Sequence, residues 1–231
     1  KQKTAYEIPK RDWSSDVCSS DLQSDGLRVF ELSYPRLRYL ASHCASGSRV
    51  LNIGVGSGDL ERLLLSRGVV VYALDPSAAS IARLRDTAGL GERAQQGYSQ
   101  QMPFGDGFFD TVIMSEVLEH LTDPVLEATL HEVRRVLKRG SALMGTVPYQ
   151  EDLDSNRVLC PRCDAQFHRW GHEQRFDRAS LMARFTSHGF RVERVDVRAF
   201  PDFRRLAPRG LVKALFRYVL GRLDRKSTRL N

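Results

Sequence analysis

The sequence lacks any apolar run that approaches the ~20 residues of a membrane-spanning helix. Its first residues also lack the basic start and apolar stretch of an export signal, so we expect no secretion. Cysteine is scarce, with four among 231 residues, which argues against a disulfide scaffold and predicts a reducing, cytoplasmic compartment. Two of the four form a C-x-x-C, which leaves a metal site open.

The overall composition is that of one ordinary globular domain. Hydrophobic residues make up 42% of the sequence and charged residues 27%, both typical of folded proteins. The net charge of +7 gathers near the C-terminus, so it says little about the central part of the chain. The basic residues there lack interleaved exposed aromatics, which argues against a nucleic-acid partner.

The centre of the sequence is the stretch 49–75, RVLNIGVGSGDLERLLLSRGVVVYALD. A buried-strand run is followed by three alternate glycines, an amphipathic segment, a second apolar run and an acid, Asp75. This order is expected of a nucleotide-binding βαβ unit, because glycines let the backbone turn tightly and let a ligand approach it. A carboxylate at the end of the second strand can accept the two hydroxyls of a ribose.

The spacing of these glycines narrows the choice of nucleotide. A dinucleotide fingerprint needs a small residue three places after Gly56, where this sequence has Asp59. A carboxylate there would repel a pyrophosphate, which disfavours the alternative of a nicotinamide-dependent oxidoreductase. The G-x-G-x-G actually present suits an adenosine ligand without phosphates.

This stretch resembles motif I of the class I S-adenosylmethionine-dependent methyltransferases. The resemblance implies S-adenosyl-L-methionine as cofactor, held at its ribose by Asp75. Its methionine end would be shaped by Asn52, Gly54, Gly56 and Gly58. One departure is Asn52, which stands where the family usually has an acid and offers a hydrogen bond without charge assistance.

A second stretch, 97–121, resembles the adenine-binding and fourth-strand region of the same family. By that resemblance Ser99, Gln100 and Met102 border the adenine. Tyr98 and Gln100 stand where the family has acids, so an acid for the adenine amino group is missing. Together with Asn52, this departure motivates an alternative interpretation, a non-catalytic adaptor with a degenerate cofactor fold that zinc stabilises.

Glu119 and His120 follow the predicted fourth strand at its carboxyl end, where open α/β sheets bind their ligands. Imidazole is the natural general base near neutral pH, so His120, with Glu119 beside it, is the candidate catalytic pair. The alternative is that His120 only hydrogen-bonds a loop and shapes the cofactor pocket.

An insert at 149–176 leaves the predicted fifth strand on the ligand side of the sheet. It contains Cys160, Cys163, His168 and His172 in the spacing C-x2-C-x4-H-x3-H, close to that of zinc knuckles. Two thiolates and two imidazoles would satisfy a tetrahedral, structural Zn²⁺. The alternative is a metal-free loop held by its aromatic residues, with the histidines facing the substrate.

The ends of the sequence differ from its centre. Residues 1–25 are predicted to be a disordered arm. Residues 11–22 within it and 225–231 resemble translated sequencing-adapter read-through, so both ends are left out of the functional argument. We assign 26–198 to the methyltransferase domain and 199–224 to a basic amphipathic helix. Residues 204–223 of that helix either pack on the domain or make a peripheral contact with an anionic membrane.

These patterns predict a doubly wound, mostly parallel α/β sheet, Rossmann-like, with a sixth strand at 190–197 and without the family's last antiparallel strand. The predicted function is methyl transfer from S-adenosylmethionine to a hydroxyl or other nucleophile of a small molecule or glycan.

Overall fold

The computed structural model describes residues 33–159, 164 and 166–200. Its main sheet is formed by β1 (Arg49–Ile53), β2 (Val70–Asp75), β3 (Ala94–Gln96), β4 (Phe109–Ser115) and β5 (Leu137–Thr146). The order across the sheet is β3-β2-β1-β4-β5, and every neighbouring pair is parallel. The predicted doubly wound, mostly parallel fold is therefore confirmed.

Helices cover both faces of this sheet, which explains why its central strands read as continuous apolar runs. One face packs against α1 (Tyr34–Ala41), α2 (Asp59–Leu65) and α3 (Ala78–Ala88), and the other against α4 (Asp123–Val136) and α5 (Arg178–Ser187). The side chains of Val50, Leu51 and Ile113 are fully buried between these layers. Two of these helices have side-chain N-caps: Ser77 caps α3, and Asp177 forms a capping box with Ser180 at α5.

The strand order fixes where a ligand can bind. From β1 the chain adds β2 and β3 on one side, and then β4 and β5 on the other. Strand order therefore reverses between β1 and β4, and open α/β sheets bind ligands in the crevice outside the carboxyl ends at such a point. The loop that contains Gly54, Gly56 and Gly58, here called the glycine loop, follows β1. The loop that carries Glu119 and His120 follows β4.

The insert after β5 stands at this same edge. It contains an antiparallel hairpin of β6 (Arg157–Leu159) and β7 (Gln166–His168). Its base is closed by a bridge between Tyr149 and Phe176, where the Gln150 N–H donates to the Phe176 carbonyl (2.8 Å). It contacts the loop after β4 through the Glu119 carbonyl, which accepts the N–H groups of two insert residues, Glu173 and Gln174, at 2.7 and 3.0 Å.

Two details of the sheet differ from expectation. The predicted sixth strand at 190–197 is wrong, since this segment has no regular structure and most of its side chains are exposed. Its charged residues pair with one another two positions apart, as Arg191 does with Glu193, and no described strand lies beside it to accept its backbone bonds. The three-residue β3 was missed because so short a segment carries no periodicity.

The terminal segments stay predictions. The arm at 1–25, the tail at 225–231 and nearly all of the basic helix at 199–224 lie outside the described residues. Within the described part of the chain, no helix combines the length and the apolar character needed to cross a membrane.

We expect Gly145→Ala to destabilise the sheet. A Cβ at Gly145 in β5 would lie 2.2 Å from the carbonyl oxygen of Met114 in β4, so the two strands would have to separate. Overpacking of this kind costs about 1–3 kcal/mol of unfolding free energy, measured by urea denaturation. Gly105→Ala is the matched control, because a Cβ there meets no atom within 4 Å. Equal midpoints for the two variants would contradict the close approach of the strands.

Candidate functional site

The glycine loop lies directly against the loop that follows β4. Gly54 has a φ of 84°, in the left-handed region, and a Cβ on it would lie 2.6 Å from Cγ2 of Val117. The predicted Gly56 and Gly58 have φ values of 54° and 79°, so all three glycines of the motif adopt backbone conformations that other residues rarely reach. The loop is therefore shaped for close approach.

Asp75 is joined to this loop at the end of β2. Its Oδ2 accepts the N–H of Val55 and its Oδ1 accepts the N–H of Ser77, both at 2.8 Å. Burial raises the pKa of Asp75, while these two hydrogen bonds and Arg83 oppose the rise. Each carboxylate oxygen has a second lone pair, so Asp75 can still accept two further hydroxyl hydrogens.

Asn52 lies beneath the loop in contact with an acid that the sequence analysis missed. Its Nδ2 donates to Oε1 of Glu61 on α2 (2.6 Å), and Glu61 is fully buried. Burial raises the pKa of Glu61 to about 7, partly opposed by the bond from Asn52. Among the described residues, Asn52 Oδ1 and Glu61 Oε2 have no hydrogen-bond partner. A buried acid from α2 therefore lies beside Asn52.

The residues predicted to border an adenine lie on the side of α4. The Ser99 hydroxyl is hydrogen-bonded to the Thr129 hydroxyl (2.7 Å), and the N–H of the buried Met102 donates to Glu132 (2.7 Å). Gln100 is half-buried. The Ser99 hydroxyl is therefore held by α4, and it has a further lone pair, besides its backbone groups, for contact with a ligand.

The loop after β4 carries a strained residue and an ion pair. Glu116 has a φ of 56°, which is uncommon outside glycine and is found at functional sites. Its carboxylate lies 3.3 Å from Nη1 of Arg36 on α1, and the buried Nε of Arg36 has no hydrogen-bond partner within the described ranges. Helix α1 therefore brings a cation to the crevice, a contact that was not predicted from the sequence.

Glu119 is buried beside this ion pair, with 1% of its surface exposed. Burial raises the pKa of its carboxyl group to about 8, and the nearby Glu116 adds to the rise. Its own backbone N–H opposes the rise in pKa. Neither carboxyl oxygen forms a hydrogen bond in the described part of the chain. A carboxyl group buried without a partner is costly, and a proton donor or a cation would offset that cost.

His120 reaches from the same loop to the insert. Its Nδ1 is 3.2 Å from the Gly171 carbonyl oxygen, which can only accept, so Nδ1 carries the hydrogen. Burial, followed by the neighbouring His172, lowers the pKa of His120 to about 4, so its imidazole is neutral at pH 7. The expected loop contact is therefore present, and the role as general base stays a prediction.

His168 and His172 meet a third insert residue, Glu151. Nδ1 of His172 is hydrogen-bonded to Oε2 of Glu151, and Nε2 of His168 lies 3.6 Å from Oε1. The two imidazole rings stack at 4.7 Å, and His172 meets the ring of His120 edge-on at the same centroid distance. Cys160 and Cys163 lie outside the described residues, so the four-residue zinc set is only half described.

Comparison with known proteins gives a consistent result. Residues 28–195 match the model of a family described as a methyltransferase domain. An uncharacterized methyltransferase of Geobacillus thermodenitrificans is 28% identical over 162 residues, 67% of this chain and 74% of the relative. The ubiquinone/menaquinone biosynthesis C-methyltransferase UbiE of Vibrio cholerae is 31% identical over 54% of this chain, which spans only 49% of that relative.

Solved structures show the same fold at low sequence identity. A chain in the complex of the Haloferax volcanii Trm112 methyltransferase activator and a methyltransferase aligns with a TM-score of 0.61 and 20% identity, covering 83% of this chain and 84% of its own. The Burkholderia thailandensis 1,6-didemethyltoxoflavin-N1-methyltransferase, solved with S-adenosylhomocysteine, aligns with a TM-score of 0.59 and 18% identity, covering 82% of each chain.

We expect Glu61→Gln to change how the stability of the ligand-free protein depends on pH. The pKa of Glu61 rises from 4.5 to about 7 on folding, so between these values the folded state holds a proton that the unfolded chain has released. Stability therefore falls as the pH rises through this window, by about 3 kcal/mol at most, and the loss persists above pH 7.

Glutamine removes this loss, so the variant should be more stable than the wild type at pH 8 and similar to it at pH 5, as measured by urea midpoints. Glu92→Gln, at an exposed position, is the control. If the wild-type midpoint changed with pH in the same way as the midpoint of Glu61→Gln, Glu61 would be ionised in the folded state.

Proposed function

The chain belongs to the class I S-adenosylmethionine-dependent methyltransferases, and on this premise we propose that it methylates a hydroxyl or other nucleophile of a small molecule or glycan. Family membership also decides against the nicotinamide-dependent oxidoreductase. The observation that carries the proposal is Asp75, which is fixed to the glycine loop and still has a lone pair free on each carboxylate oxygen.

The residues of the crevice fit the cofactor of this family. S-adenosylmethionine supplies the electrophilic methyl group and its leaving group. Asp75 would accept the ribose hydroxyls, and Gly54, Gly56 and Gly58 let the cofactor approach the backbone. Asn52 and Glu61 leave buried acceptors beneath the methionine end, and Nε of Arg36 is a donor suited to a carboxylate. Ser99, Gln100 and Met102 would border the adenine.

The acceptor would lie where the loop after β4 meets the insert. His120 is neutral at physiological pH and its Nδ1 carries the hydrogen, so Nε2 has the lone pair that can take the proton of a hydroxyl. His172 and His168 approach the same place from the insert. Since transfer from this cofactor depends above all on positioning, the insert would select the acceptor.

Three narrower expectations stay predictions. They are zinc binding by Cys160, Cys163, His168 and His172, a cytoplasmic location, and a membrane contact through 204–223. The non-catalytic adaptor is the alternative function, motivated by Asn52. It predicts cofactor binding with no methyl transfer to any acceptor.

Asp75→Asn should weaken binding of S-adenosylhomocysteine at least tenfold in isothermal titration calorimetry. In the wild type the two carboxylate oxygens accept the N–H groups of Val55 and Ser77. Asparagine has no charge, and its amide NH₂ would face one of these two N–H donors. A loss of about 1.4 kcal/mol corresponds to a factor of ten. Asp86→Asn on the exposed side of α3 should bind like the wild type. Unchanged affinity in Asp75→Asn would refute the assignment of the ribose site.

His120→Ala should lower methyl transfer by on the order of 100-fold while leaving S-adenosylhomocysteine affinity unchanged. The measurement is transfer of a labelled methyl group to a panel of hydroxyl-bearing small molecules and glycans. His43→Ala, a substitution on the exposed surface after α1, is the control. A wild type that binds the cofactor and methylates no member of the panel would support the adaptor, and full activity in His120→Ala would remove His120 from the reaction.

A further inference from the structure

We propose that Glu119, His120 and His172 bind a divalent metal ion at the acceptor end of the crevice. One ligand atom of each residue lies within 4.8 Å of the others. The three come from two separate segments, the loop after β4 and the insert. These segments are joined by the hydrogen bonds from the Glu173 and Gln174 N–H groups to the Glu119 carbonyl.

The hydrogen bonds of His120 and His172 fix the tautomer in which Nε2 has the lone pair that can bind a metal. Nδ1 of His172 faces the carboxylate of Glu151, and Nδ1 of His120 faces the Gly171 carbonyl. Neither acceptor can donate, so both imidazoles carry their hydrogen on Nδ1 and their lone pair on Nε2. Metal-binding histidines almost always donate their other N–H to a carboxylate or a backbone carbonyl in this way.

Glu119 supplies the negative ligand. Its side chain is almost completely buried, and both carboxyl oxygens lack a hydrogen-bond partner in the described ranges. Burial of an unpaired carboxyl group is costly, and a cation coordinated by its oxygens would remove that cost.

The charges around the site also favour a cation. The carboxylates of Glu116 and Glu151 both act on Glu119, and so does the guanidinium of Arg36. Arg36 is itself paired with Glu116 at 3.3 Å. A cation bound at Glu119 would therefore be attracted by the carboxyl groups of Glu116 and Glu151 as well.

A second group, formed by Glu151, His168 and His172, has similar distances but unsuitable chemistry. Nδ1 of His168 accepts the N–H groups of Trp170 and His172, at 3.3 and 3.1 Å, so its hydrogen is on Nε2. That nitrogen faces Glu151 and has no lone pair to offer. Glu151 and His168 are therefore positioning residues, which hold His172 for the proposed site.

The ligand set indicates a first-row divalent ion such as Zn²⁺. Two imidazoles and one carboxylate bind such ions at about 2.0–2.2 Å. The three ligand atoms lie within 4.8 Å of one another, and binding would draw them around the ion. Three protein ligands leave a coordination position open, where an acceptor hydroxyl could bind and release its proton to water. This last role rests on the proposed function, and His120 would then act as a ligand and not as the base.

The test is metal binding by the full chain, measured without any turnover. The protein is stripped with a chelator and titrated with Zn²⁺, and with Co²⁺ as a spectroscopic probe of the ligands. We expect one ion per chain in the wild type and at least a 100-fold loss of affinity in Glu119→Gln and His120→Ala. Glu151→Gln should lose 10- to 100-fold, because it acts through His172.

The proposed site and the zinc set predicted from the sequence are alternatives, because both use His172. The controls separate the two. The double variant Cys160→Ser/Cys163→Ser and the surface variant His43→Ala should bind the ion as the wild type does, and the Co²⁺ spectrum should lack thiolate bands. Loss of the ion in the cysteine variant, with retention in Glu119→Gln and His120→Ala, would overturn the proposal. So would a wild type that takes up neither Zn²⁺ nor Co²⁺.

Calorimetry with S-adenosylhomocysteine on the same samples distinguishes the two proposals. Cofactor binding retained in Glu119→Gln shows that a lost ion is not the result of misfolding. A wild type that binds the ion and not the cofactor would remove the proposed function and leave the metal site standing. A wild type that binds the cofactor and not the ion would remove the metal site and leave the proposed function standing.

Discussion

The side chain of Val117 occupies the space that a Cβ on Gly54 would fill, and the geometry of the crevice depends on this contact. It is possible because β1 and β4 are parallel neighbours, so the loops that leave their carboxyl ends lie side by side. One loop meets Asp75 and the other carries Glu119 and His120. In the proposed function, cofactor and acceptor contact these two adjacent loops, so a displacement of either loop would change the distance between them.

Much of this arrangement could be predicted because it is local in sequence. The alternate glycines, the acid after β2 and the capping residues Ser77 and Asp177 act within a few positions, where spacing is informative. The segment 190–197 was misassigned for the same reason, since apolar alternation does not reveal whether a neighbouring strand is present. Edge pairing is a tertiary property.

The residues that were missed act over long distances. Arg36 meets Glu116 from α1, and Glu151 meets His172 across the insert, so no local pattern announces either contact. The burial of Glu61 could have been predicted from one pattern, because it precedes Leu64 by three positions and so shares the buried face of α2. Its carboxylate accepts a hydrogen bond from Asn52, so an acid lies beside position 52 although it comes from the helix and not from the strand.

The bridge between Tyr149 and Phe176 brings the two ends of the insert together at the edge of the sheet. A segment whose ends are fixed so close to each other can change in length or content at little cost in loop entropy, because that cost grows only slowly with length. Evolution could therefore exchange the whole insert while the parallel sheet and its glycine loop stay as they are, and under the proposed function this exchange would change the acceptor.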